Sequence, residues 1–123
     1  MSLPTSQRGF TLIELIAILV ILGALASVAV PKYYDLTREA QNRAALQAVM
    51  EGRARLTIQY ARLFMNDGSP PDATTLINAT GPTADLGDYV LNFSSVDTLT
   101  IKVNASGKSG VQGTNSGVWI MPR

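Results

Sequence analysis

The sequence predicts an α+β fold, a long N-terminal helix packed against a small antiparallel β-sheet, on three observations. Apolar residues form a nearly unbroken run close to the N-terminus, the run passes into a helix-period pattern, and beyond Asp85 apolar residues alternate as in strands. The chain has 123 residues, 10 lysines and arginines and 9 aspartates and glutamates, for a net charge of +1. That length supports one modest domain, and the near balance gives no electrostatic case for nucleic acid. Cysteine and histidine are both absent. Disulfides, thiolate nucleophiles, Cys or His metal sites and imidazole acid–base chemistry are thereby excluded. With no nucleophile–base constellation either, neither an enzyme nor a cofactor is expected. Hydrophobic residues make up 46% and charged residues 15%, and the apolar excess is concentrated.

It lies in Phe10–Val30, which reads FTLIELIAILVILGALASVAV. A helix of that length spans roughly 30 Å, the thickness of a bilayer's hydrocarbon core. The remaining residues are too few to wrap a helix that is apolar on all sides, so a membrane span is expected over residues 10–31. A signal peptide fits poorly, because the run continues into a further helical pattern instead of ending at a small-residue cleavage site. Ahead of it stands MSLPTSQRG with Arg8 as its only charge. The positive-inside rule then puts the N-terminus in the cytoplasm and the C-terminus across the membrane. Glu14 is the one ionisable side chain in the span. A carboxylate there costs a few kcal/mol unless it is neutralised or paired. Either it stays solvated at the interface, or it awaits a cation from another molecule.

The run Arg8-Gly9-Phe10-Thr11-Leu12-Ile13-Glu14 resembles the prepilin signature shared by type IV pilins and type II secretion pseudopilins. Gly23 and Pro31 also stand near points where that superfamily often has a glycine and a proline. The resemblance covers residues 8 to 31 and implies several things together. Residues 1–9 would be a leader, cut between Gly9 and Phe10 by a membrane prepilin peptidase that also N-methylates Phe10. The new Phe10 amine would be the cation that Glu14 lacks, supplied by a neighbouring subunit in the filament. Either charge buried alone is costly, so such a pair serves partner choice more than stability. Partners would be further copies in a helical homopolymer, related pilins, the peptidase and an inner-membrane assembly platform. The subunit would sit in the bacterial inner membrane first and in an extracellular pilus or periplasmic pseudopilus afterwards. The stretch from Pro31 to Leu36 resembles mannose-sensitive haemagglutinin-type pilins, which favours a pilus. The missing cysteine pair points the other way, to a pseudopilin. A signal-anchored monomeric binding module of the periplasm is the reading from another class.

Beyond the span, residues 32–123 are expected to form the head. Pro31 removes a backbone donor and predicts a kink, and Gly23 lowers helix propensity, marking residues 23–31 as the weakest part of the helix. The resemblance implies that this stretch can lose helicity in a filament. An amphipathic helix over 32–66 follows, with Leu36, Leu46, Val49, Leu56, Tyr60 and Leu63 as its core face. Glu39 with Arg43 and Glu51 with Arg55 are favourable i,i+4 pairs. The segment Asp67-Gly68-Ser69-Pro70-Pro71 ends the helix. Asp72 can cap a short helix near 73–78, closed by Gly81 and Pro82. A sheet is expected within 86–122. Tyr89, Leu91 and Phe93 form one strand, Leu99, Ile101 and Val103 a second, and Val118 to Met121 a third. The glycine- and serine-rich segment from Asn104 to Gly117 reads as an exposed loop.

Charge is distributed unevenly. Residues 32–62 carry six basic and three acidic side chains, and residues 63–123 carry three basic and five acidic. This is either surface scatter or a basic stalk and an acidic head that meet between stacked subunits. Gly107-Lys108-Ser109 lacks the upstream glycine of a phosphate-binding loop, since Lys102 stands there. Asp85, Asp88 and Asp97 could supply oxygen ligands, but at no calcium-loop spacing. Packing is the better account of Tyr33, Tyr34, Tyr60 and Phe64.

Overall fold

A computed structural model describes residues 9–123. Of the expected leader, residues 1–8 lie outside the described residues. Helix α1 (Leu12–Asp67) begins at Thr11, whose carbonyl accepts the Leu15 N–H and whose hydroxyl accepts the Glu14 N–H. It remains helical through Gly23 and Pro31. The chain divides into two units, the first ending at Leu36 and the second covering Thr37–Arg123. Within the first, the large apolar side chains from Phe10 to Val30 are all exposed. The helix is long and apolar enough there to cross a membrane.

In the second unit, α1 is followed by α2 (Ala73–Thr80) and four strands, β1 (Thr83–Asp85), β2 (Tyr89–Ser95), β3 (Thr100–Gly107) and β4 (Thr114–Ile120). Asp72 caps α2 by accepting the Thr75 N–H at 2.7 Å. Gly81, at φ 94°, closes it by donating its N–H to the Ile77 carbonyl. The strands pair antiparallel in the order β1-β2-β3-β4. Strand alternation sends Tyr89, Leu91, Phe93, Ile101, Val103, Ala105 and Trp119 to one face, where they are buried. They form one core with Ala45, Ala48, Val49 and Leu56 of α1 and with Ala73, Leu76 and Ile77 of α2.

The helix face that meets the sheet differs from the one expected. Leu36 is 70% exposed and Leu46 44% exposed, so neither belongs to the core, while Val49 and Leu56 do and Tyr60 and Leu63 pack at its edge. Small residues fill the vacated places. Gly52 brings the helix so close to the sheet that a Cβ there would stand 2.8 Å from Val103 Cγ1. Gly117 of β4 does the same opposite Val49 Cγ1, also at 2.8 Å. Each glycine thus receives a valine from the facing element. A search for large apolar residues passes over such a surface.

The segment from Asn104 to Gly117 is mostly strand and not an exposed loop. Asn104 pairs with Ser116 and Ala105 with Asn115, leaving only residues 108–113 as the turn. Its polar composition conceals a ladder whose hydrogen bonds are made by the backbone. The three-residue β1 also went unanticipated, so the sheet starts at Thr83. Hydrogen bonds fix the sheet along α1. Tyr89 Oη donates to the Gln41 carbonyl at 2.9 Å, Trp119 Nε1 to Thr57 Oγ1 at 3.0 Å and Tyr60 Oη to the Pro122 carbonyl at 3.1 Å. Gly113, at φ 137°, brings the turn against the backbone of Gln41, where a Cβ would lie 2.7 Å from the carbonyl oxygen.

Candidate functional site

The residues singled out from the sequence fall at the start of α1 and along its first unit. Gly9 and Phe10 precede the helix, and Phe10 is 79% exposed. A Cβ on Gly9 or on Gly23 would meet nothing within 4 Å. Among the described residues, packing demands glycine at neither place. Thr11 was not among the anticipated site residues. Its hydroxyl lies 3.3 Å from the Glu14 N–H, and the Thr-x-x-Glu spacing is the sequence signal that would have found it. Glu14 sits in the first turn, where the helix dipole favours a negative charge. Among the described residues no cation pairs with its carboxylate.

The head shows a different electrostatic pattern, with its carboxylates engaged locally. Asp85 pairs with Lys108 and accepts the Gly87 N–H, which together hold its pKa below the ordinary value. The Asp97 carboxylate is lowered by the Leu99 N–H and the Thr100 side chain, and that of Asp72 by the Thr75 side chain and backbone. Asp85 and Asp88 lie before β2 and Asp97 after it, so the structure does not gather them. No group of three or more potential metal ligands occurs among the described residues. The expected i,i+4 pairs form, Arg43–Glu39 at 2.6 Å and Arg55–Glu51 at 2.7 Å. Tyr60 stacks on Phe64 and meets Trp119 edge-on at 5.9 Å, a packing role.

Residues 4–30 match the prokaryotic N-terminal methylation motif. Over 117 residues the chain is 32% identical to the type IV major pilin protein PilE of Neisseria gonorrhoeae, covering 94% of this chain and 68% of that protein. It is 34% identical over 99 residues to the type IV narrow pilus major component PilA5 of Thermus thermophilus, covering 76% of this chain and 85% of the relative. With the gonococcal type IV major pilin protein PilE1 it shares 35% identity over 118 residues, or 94% of this chain. The chain spans 63% of that relative's length and 50% of a further PilE1 sequence. No solved structure matches. A methylation motif, a long apolar helix start and a small antiparallel sheet define an α+β class of fold with a long N-terminal helix. The chain belongs to the type IV pilin family.

Proposed function

We propose that this chain is a structural subunit of a type IV pilus, cut between Gly9 and Phe10, N-methylated at Phe10 and polymerised through its apolar helix. Before assembly the helix holds it in the bacterial inner membrane with the head in the periplasm, and afterwards it lies in the extracellular fibre. The observation that carries this reading is the stretch of α1 from Leu12 to Val30, apolar and exposed, with Glu14 unpaired among the described residues at its start. In a filament that surface packs on other copies, and Glu14 takes the Phe10 amine of a neighbour. The stretch from Gly23 to Pro31 is where helicity gives way during packing. Relatives named as major pilins support a pilus over a secretion pseudopilus.

Two measurements test the proposal. Intact mass of the filament subunit should correspond to a chain starting at Phe10 with one added methyl, and retention of residues 1–9 would defeat it. Glu14→Ala should leave the subunit at its normal level in the membrane, since it removes a costly polar group there. In the filament it leaves the amine unpartnered, a loss of about 3–5 kcal/mol in a dry site. Sheared filament yield should then fall nearly to nothing. Glu14→Gln should fail almost as badly, because it keeps the shape without the charge. Normal filaments from either variant would remove charge pairing from the mechanism.

A further inference from the structure

Beside α2 the head carries a cleft of about 220 Å³ lined by Arg55, Ile58, Gln59, Arg62, Ala79 and Thr80. The two arginines face it from points two turns apart on α1, and they are not equivalent. The Arg55 guanidinium is already held by Glu51 at 2.7 Å. Arg62 has no hydrogen bond or ion pair with any described residue. A matching orphan of opposite sign lies at the other end of the head. The turn before β2 holds Asp85, Asp88 and, across from them, Lys108. Asp85 and Lys108 neutralise each other, which leaves the Asp88 carboxylate exposed and without a partner among the described residues.

These two charges cannot meet within one copy. Tyr89, next to Asp88, is bonded to the Gln41 carbonyl, which fixes this turn at the level of Gln41 on α1. From Gln41 to Arg62 the helix rises about 30 Å. An orphan anion at one pole and an orphan cation in a cleft at the other suit a head-to-tail contact. Such contacts are heterologous, and where the rotation does not close they propagate into a filament. We infer that the Arg62 cleft receives the Asp88 carboxylate of a second copy of this chain, an axial contact between heads that is separate from the helix packing. The occupant is a carboxylate on a short stem, because the cleft is small and one of its guanidiniums is already neutralised. Asp67 is not the donor, since it lies at the same end of α1 as Arg62.

The inference rests on the filament reading, and its test separates the two. Cells producing the full chain with Arg62→Glu, with Asp88→Lys, or with both are compared for sheared filament yield and membrane subunit level. Each single reversal sets like charges together at every contact, so yield should drop about fivefold or more at unchanged membrane level. The double variant restores attraction with the signs exchanged and should recover to within about twofold of the unmodified chain. If a reversal lowers the membrane level, Arg62→Gln and Asp88→Asn replace it, each with a smaller loss of yield that salt no longer deepens. Normal assembly by either single reversal, or a double variant as poor as the singles, would overturn the contact. An unmodified chain that makes no filaments at all would instead overturn the pilus assignment.

Discussion

Helix α1 does two opposite things along its length. From Leu12 to Val30 it is apolar around its circumference except for Glu14, and among the described residues none of that surface is buried. From Thr37 onward it is a poorer hydrophobe, with small residues at the face it buries, yet it belongs to a closed core with no unpartnered buried polar side chain among the described residues. The more hydrophobic half is thus the less self-sufficient one. Hydrophobicity drives folding only where a chain can remove the surface from water, and the large apolar side chains from Phe10 to Val30 are all exposed. The head instead gains from shape, by setting Gly52 and Gly117 against valines and bringing the helix close to the sheet.

The coarsest way to break this contrast is to cut the chain where the character changes. A chain beginning at Tyr33 should be soluble and monomeric without detergent, whereas the full chain should require detergent. Sedimentation of both would decide it, and aggregation of the shortened chain would show that the head depends on the span. Next in size is Leu56→Ala. Leu56 is wholly buried, and truncation there should cost about 2–5 kcal/mol in denaturant unfolding. The corresponding change in the first unit, Leu19→Ala, should leave head stability untouched, because Leu19 is exposed.

Gly52→Ala sharpens the comparison, because two effects of known sign compete. Alanine in a helix interior is better than glycine by about 1 kcal/mol. Against that, the new Cβ would meet Val103 at 2.8 Å, Leu91 at 3.1 Å and Phe93 at 3.3 Å. Those side chains are themselves packed in the core, and overpacking of this kind costs about 1–3 kcal/mol. A net loss near 1 kcal/mol is expected from the denaturation midpoint. A gain in stability would mean that the close approach is not a constraint. At Gly23, in the first unit, the same substitution meets nothing, and it should affect only assembly.

The contrast also explains what could be read in advance. The long apolar helix was legible because an unbroken apolar run has few structural meanings, and the fold class because periods of 3.6 and 2 follow one another. Glu14 stood out as the one charge in an apolar stretch. The core face of α1 was misjudged at Leu36 and Leu46, because apolar size is a poor guide where Ala45, Ala48 and Gly52 do the packing. Strand residues from Asn104 to Gly107 and from Thr114 to Gly117 were hidden by polar side chains, since pairing there relies on the backbone and on neighbouring strands. The Arg62 cleft depends on where α2 comes to rest, a tertiary outcome that no local pattern encodes.

The smallest expected effect concerns acid. In the head, Asp72, Asp85 and Asp97 all have pKa values below the ordinary one, each through hydrogen bonds to its charged form. In the unfolded chain they return to about 3.9. The unfolded state therefore binds more protons as the solution becomes acidic. The stabilisation is complete well above pH 4 and is lost as pH falls through the lower folded-state values. All three groups are exposed, so the effect is modest. The full chain in detergent should show a flat melting temperature from pH 7 to about 5 and a decline below about 4. Salt should distinguish the causes, weakening the contribution of Asp85, which involves Lys108, more than those of Asp72 and Asp97, which rest on neutral donors. Asp85→Asn should remove the salt-sensitive part of the decline and leave the rest. A melting temperature unchanged down to pH 3 would mean that these caps and the turn pairing persist in the unfolded chain, and that the head is held by its apolar core alone.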